Sequence, residues 1–115
     1  MPLVEVTHRP DLPEAVLLEL GARLPHLVSV AVECPEEPYD HELRPGDVEV
    51  RFRPWGRFDR CGVDVVIEVR SKYFDSRAGN RQERCDELLT ELEKFIDAEI
   101  GIYLSLPVAA WAQSE

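Results

Sequence analysis

The sequence predicts an α/β protein with the element order β-α-β-β-α-β, arranged as two β-α-β halves. Three observations predict it. Short runs alternate apolar and polar residues, as half-buried strands do. Two longer stretches carry apolar residues at helical spacing. Clusters of proline, glycine and aspartate separate the periodic segments. At 115 residues the chain has the size of one domain, expected over 1–115, with units at about 2–54 and 62–107.

The elements follow in order. The chain opens "MPLVEV", and Leu3 to Thr7 alternates as a strand. Asp11 is a fair N-cap for the helix that follows, Pro13 suits a first-turn position, and Glu14 favours the positive helix end. Leu12, Val16, Leu17, Leu20 and Leu24 then recur at helical spacing. "LPHLVSVAV" reads two ways. Val28, Val30 and Val32 alternate like a strand, while Leu24, Leu27, Val28 and Ala31 share one helical face that continues past Pro25. Residues 34–46 carry three prolines and several acids and read as loop.

"DVEVRFRP" is the clearest strand, with Val48, Val50 and Phe52 on one side and Glu49, Arg51 and Arg53 on the other. "VDVVIEVR" alternates likewise and is expected as its antiparallel neighbour. "DSRAGN" reads as a turn-rich loop. The strongest helix follows it, with Cys85, Leu88, Leu89, Leu92, Phe95 and Ile96 along one stripe. "GIYLSLP" is a last short strand, and Trp111 lies in a tail of uncertain structure. This order fits either a ferredoxin-like sandwich or two units whose own strands pair in parallel. The secondary structure does not choose between them.

Composition narrows the function classes. The formal net charge of −10 repels nucleic acid and anionic membranes. A few arginines focused in one cleft still allow an anionic small ligand. Cys34, Cys61 and Cys85 are widely spaced, and His8, His26 and His41 are scattered, so the expectation is free thiols, no metal site and a cytoplasmic setting. No signal peptide is read, and no stretch is expected to reach transmembrane length.

Three stretches together, "MPLVEV", "LGARLPHLVSVAVECPEE" and "LRPGDVEVRFRP", resemble the tautomerase superfamily, in particular its two-unit members similar to 5-carboxymethyl-2-hydroxymuconate isomerase. The resemblance implies two β-α-β units forming a four-stranded mixed sheet with two helices on one face. It also tips "LPHLVSVAV" towards helix, and it implies a homotrimer and no cofactor. It further implies that Met1 is removed and that the exposed Pro2 nitrogen is the catalytic group. The Gly-Arg-Ser turn common in the family is missing from the second half, so its arginine is matched by Arg81 or Arg77.

These residues suit one chemistry. A free N-terminal proline is a secondary amine, and burial or nearby cations favour its neutral, basic form. Such a base can move a proton between carbon and oxygen. Arg51 and Arg53 lie two apart on a strand and project from one face, where guanidinium forks can hold a carboxylate and an enolate oxygen. The expected function is a cofactor-independent tautomerase or isomerase acting on a small carboxylate-bearing substrate, with Pro2 as base and Arg51, Arg53 and Arg81 binding the substrate. The other class is a non-enzymatic ligand-binding or assembly domain. There Pro2 only starts a strand, and Arg51 and Arg53 pair with Glu49, Glu68 or Asp64. His8 is expected at the surface, and Tyr103 in the core or an interface. Retention or loss of Met1 discriminates the two classes.

Overall fold

The computed structural model describes residues 2–38 and 47–114. The chain runs β1 (Leu3–His8), α1 (Glu14–Val32), β2 (Glu49–Pro54), β3 (Val65–Arg70), α2 (Asp75–Ala78), α3 (Arg81–Glu93) and β4 (Ile100–Ser105). The four strands form one sheet in the order β2-β1-β3-β4. β1 and β2 pair in parallel, as do β3 and β4. The two units meet where β1 and β3 pair antiparallel. Of the two arrangements open to the element order, the chain therefore adopts the one in which each unit pairs its own strands.

Alternation along the central strands decides which face is covered. Val4, Val6 and His8 of β1 are buried, as are Val65, Ile67 and Val69 of β3. α1 lays Leu20, Leu24, Val28, Ala31 and Val32 on this face, and α3 adds Leu88 and Leu92, with Ile96 just beyond it. The opposite face holds Leu3, Glu5 and Thr7 in register with Glu49, Arg51 and Arg53. It is the polar side of the sheet.

Most differences from the sequence reading have a local cause. "LPHLVSVAV" is helical, and α1 passes through Pro25 although that residue lacks the N–H that would reach back to Gly21. The stripe buried against the sheet outweighs the one lost bond. Asp11 does not cap α1. Pro13 takes the N-cap position with no side-chain cap, and Asp11 instead faces Arg9, 2.7 Å from its Nε. That contact is an ion pair and not an aligned hydrogen bond, because Arg9 Nε has no hydrogen-bond partner. The aligned bond of Arg9 goes from Nη1 to Asp64, at 2.6 Å.

"DSRAGN" contains the single helical turn α2, which begins the path into α3. His8 is buried at the end of β1, with Nδ1 2.9 Å from the Arg9 carbonyl. Tyr103 is exposed on the polar face of β4, and Phe95 lies half-exposed under the Arg23 guanidinium. One helix, α1, is long and apolar enough by length and composition to cross a membrane, against the expectation that no stretch is. In this fold the same apolar character supplies its sheet-facing stripe. Most of the loop read over 34–46 lies outside the described residues, but 34–37 form a tight turn bridged between Cys34 and Glu37.

Leu24 has no exposed surface at the centre of the α1 stripe. Leu24→Ala should lower unfolding free energy by about 2–5 kcal/mol, read as a shifted urea midpoint at constant slope.

Candidate active site

Pro2 stands one residue before β1, and its carbonyl accepts a bond from the Glu49 N–H at 3.1 Å. That bond sets the start of the parallel β1–β2 ladder. Pro2 shares the parity of Val4 and Val6, so it belongs to the helix side of the sheet. There it borders a cavity of about 330 Å³ together with Ser29 and Val32 of α1, Ser71 after β3, Arg77 of α2 and Trp111 of the tail. Glu37 and Asp47 bring carboxylates to the same wall.

Arg77 is the most buried charge of this cavity, with 1% of its surface exposed. Two carbonyls hold it. Nε donates to Val32 O and Nη1 to Lys72 O, each at 2.6 Å. Glu37 lies 3.3 Å from Nη1 and supplies the counter-charge. Nη2 has no hydrogen-bond partner among the described residues. A buried guanidinium in a cavity wall is a strong donor for an anionic group entering the cavity. The Phe74 ring, 5.3 Å away, covers part of its face.

A second cavity, of about 510 Å³, adjoins the first and shares Glu37, Ser71 and Trp111 with it. Its own lining includes the cations Arg51, Arg70 and Lys72, with Glu49 among them. Arg51 pairs with Glu49 at 3.1 Å and Arg70 with Glu68 at 2.9 Å. Both pairs are solvent-exposed, so an incoming carboxylate can exchange for either glutamate at little cost.

The four candidate site residues therefore part company. Pro2 borders the first cavity and Arg51 the second. Arg53 borders neither. It pairs with Thr7 in the ladder, about 17 Å along the strand from the level of Pro2 at ~3.3 Å per residue. Its side chain is exposed, 3.8 Å from Glu5. Arg81 begins α3 on the outer surface, away from both cavities. Of the two second-unit arginines open to the sequence reading, Arg77 is the one beside Pro2. Sequence reasoning did not foresee Arg70, Lys72 or Trp111 at these walls. Arg70 and Lys72 flank the end of a strand whose neighbour starts with Pro2, and the sheet order alone reveals that.

Two titrating groups have shifted pKa values with local causes, Glu36 beside the Pro2 cavity and Cys85 on α3. The Ser76 hydroxyl bonds Glu36 at 2.8 Å and, with backbone and Cys34 contacts, holds this carboxyl below its usual range. Burial first, then the Asp86 charge, pushes the Cys85 thiol up. Its Sγ donates to Ile102 O at 3.3 Å.

No family model matches the chain, and no curated protein matches it significantly. Solved structures do. The native structure of Ps01740 aligns over 97% of this chain and 99% of its own, with TM-score 0.59 and 14% identity. MIF2 of Leishmania major aligns over 96% and 93%, with TM-score 0.52 and 14% identity. A 5-carboxymethyl-2-hydroxymuconate delta-isomerase aligns over 100% and 88%, with TM-score 0.51 and 15% identity. These similarities establish the fold: a tautomerase-like mixed sheet with its helices on one face.

Ser76→Ala should raise the Glu36 pKa towards the ordinary carboxylate value, measured by NMR titration. The depressed native pKa means that this contribution is present near neutrality and fades as pH falls through the native pKa. The variant should therefore lose less stability on acidification than the parent. An unchanged Glu36 titration would show that the hydroxyl does not hold it.

Proposed function

We propose that this chain is a small, cofactor-independent tautomerase or isomerase, with the Pro2 amine as general base once Met1 is removed. The observation that carries the reading is the shared cavity of Pro2 and buried Arg77. The neighbouring cations Arg51, Arg70 and Lys72 add to it. An acid enters with its carboxylate towards this positive lining, although the chain as a whole is acidic. The neutral proline nitrogen takes a proton from the carbon beside a carbonyl. Electron density moves to the carbonyl oxygen, and a guanidinium N–H meets the growing negative charge. The proline then returns the proton elsewhere on the conjugated system, or the reverse sequence ketonises an enol. No net oxidation occurs.

Within this reading Arg77 and Arg51 divide the binding of the carboxylate and the enolate oxygen. Arg53 and Arg81 take part only if a second copy brings them to the cavity. Such a copy accords with the homotrimer that the sequence resemblance implies. Among the described residues no strand pairs with the outer edges of β2 and β4, and unpaired edges favour association. A cytoplasmic location fits the three free cysteines.

The test compares processed protein with a form that keeps one residue ahead of Pro2. Ketonisation of phenylpyruvate enol or a 2-hydroxymuconate-like dienol should fall by about 10²-fold or more when the amine is blocked. Intact mass establishes which form is in hand. Equal rates in the two forms would reduce Pro2 to the start of a strand, and no ketonisation by either form would leave a ligand-binding domain. Arg51→Ala should raise KM more than it lowers kcat, whereas Arg81→Ala should leave both unchanged unless a second copy brings Arg81 to the cavity. Light scattering at micromolar concentration should give three times the chain mass; a monomer mass would reject the trimer.

A further inference from the structure

The turn between β2 and β3 is built to display two side chains. Trp55 N–H bonds His8 O at 2.9 Å and ties the turn to the end of β1. Asp59 N–H then bonds Gly56 O at 3.0 Å, while the Asp59 carboxylate accepts from Gly56 N–H at 2.7 Å. Those two bonds close a tight turn with Arg57 and Phe58 at its tip. The Phe58 side chain is 82% exposed, and the Arg57 guanidinium stands 4.8 Å over its ring. Arg57 and Arg60 have no ion-pair partner among the described residues. Residues 51–60 hold four arginines against one aspartate in a chain of net charge −10. A rigid aromatic flanked by arginines has the composition of an interface anchor.

The helix layer carries a surface of opposite character. Between the C-terminal half of α1 and the middle of α3, Leu27, Val30, Ala31 and Leu88 floor a groove of about 280 Å³, rimmed by Glu87 and Glu91. His26 completes the α1 side. Val30 keeps 45% of its surface exposed there. Among the described residues, the Glu91 carboxylate pairs with the exposed Lys94 at 2.8 Å, a pair that exchanges readily. Segment 80–99 holds seven acids against three bases. So an apolar floor with an acidic rim faces solvent on one part of the molecule, and an aromatic tip with a basic rim does so on another.

We propose that the Arg57–Phe58 tip of one copy docks in the α1–α3 groove of a second copy, Phe58 on the floor and Arg57 and Arg60 on Glu87 and Glu91. The contact joins copies because the two surfaces sit apart in one molecule. The tip follows β2 at the His8 end of β1, whereas α1 runs back antiparallel to β1 and carries the groove towards the Pro2 end. It pairs two different patches, so it is heterologous and propagates into rings or filaments. It also adds to any closed oligomer formed through the strand edges.

Charge reversal tests it on the full chain. Sedimentation and light scattering of the parent should show mass rising with concentration above the smallest unit and falling back as salt is raised. Phe58→Ser should weaken this growth at least about tenfold. Arg57→Glu with Arg60→Glu, and separately Glu87→Arg with Glu91→Arg, should each abolish it, since tip and groove then carry like charge. All changed side chains are exposed or at a groove rim, and circular dichroism checks that each variant folds. Mixing the two reversed proteins makes every tip complementary to a groove of the other, so growth should return in the mixture alone. Parent mass that does not depend on concentration, reversed variants that grow like the parent, or a mixture that stays dispersed would each overturn the proposal, the last by assigning the tip to a different partner.

Discussion

The C-terminus of α1 is the point on which the two units depend. Helix α1 ends at Val32 without a basic residue in its last turn. Its final carbonyls, at the negative end of the helix dipole, require donors from elsewhere. The second unit provides them. Arg77 reaches Val32 O at 2.6 Å, and Arg84 reaches Ala31 O at 2.9 Å and Glu33 O at 2.6 Å. These bonds span 45 to 53 residues of sequence, so they form only when both units are in place. They fix α2 and the start of α3 against the end of α1, and the wall of the Pro2 cavity follows from that docking. Arg77 both caps the end of α1 and lines the Pro2 cavity.

This double use explains why the cavity keeps a positive element inside a strongly acidic protein. A buried guanidinium without partners would carry a desolvation penalty of several kcal/mol. Two backbone carbonyls and the Glu37 carboxylate offset it. Arg51 and Arg70 differ in kind. They are surface cations in exposed pairs, adaptable and weakly committed. The site thus combines one fixed cation in the wall of the Pro2 cavity with looser ones in the adjoining cavity.

Much of this was legible in the sequence, and the limits have identifiable causes. Period-two alternation placed all four strands within a residue or two, and the same periodicity separated Arg51 and Arg53 from the covered face. The helical stripe of α3 was visible too, although Phe95 left it to stack under Arg23. What one segment's pattern cannot encode is which strand lies beside which. The 2-1-3-4 order brings Arg70 and Lys72 to the Pro2 end. The same gap explains Arg77. A charged residue in a Gly- and Ser-containing loop reads as solvent-exposed, and only the distant, uncapped end of α1 gives it a reason to be buried. His8 was misjudged likewise, because a polar residue closing a strand reads as surface until β3 and its own Arg9 carbonyl enclose it.

The pseudo-twofold relation of the units sharpens the chemical asymmetry. By face and register, the residue of the second unit equivalent to Pro2 is Val63, two positions before β3 and of the same parity as the buried Val65 and Ile67. The pole around it has its own cavity, of about 680 Å³, bordered by Asp64, Glu93, Asp97 and Glu99. Asp64 is occupied there, bonding Arg9 and the Glu99 N–H through its two oxygens. The fold has therefore produced equivalent hollows at both ends of the sheet, but they cannot share a chemistry. The nitrogen at 63 is a peptide amide with no basic lone pair, whatever surrounds it. The reaction proposed above needs an amine at this position, and among the described residues the buried Arg77 guanidinium lies at the Pro2 pole. Architecture repeats between the units; the chemistry proposed for Pro2 does not carry over, because a peptide nitrogen cannot act as a base.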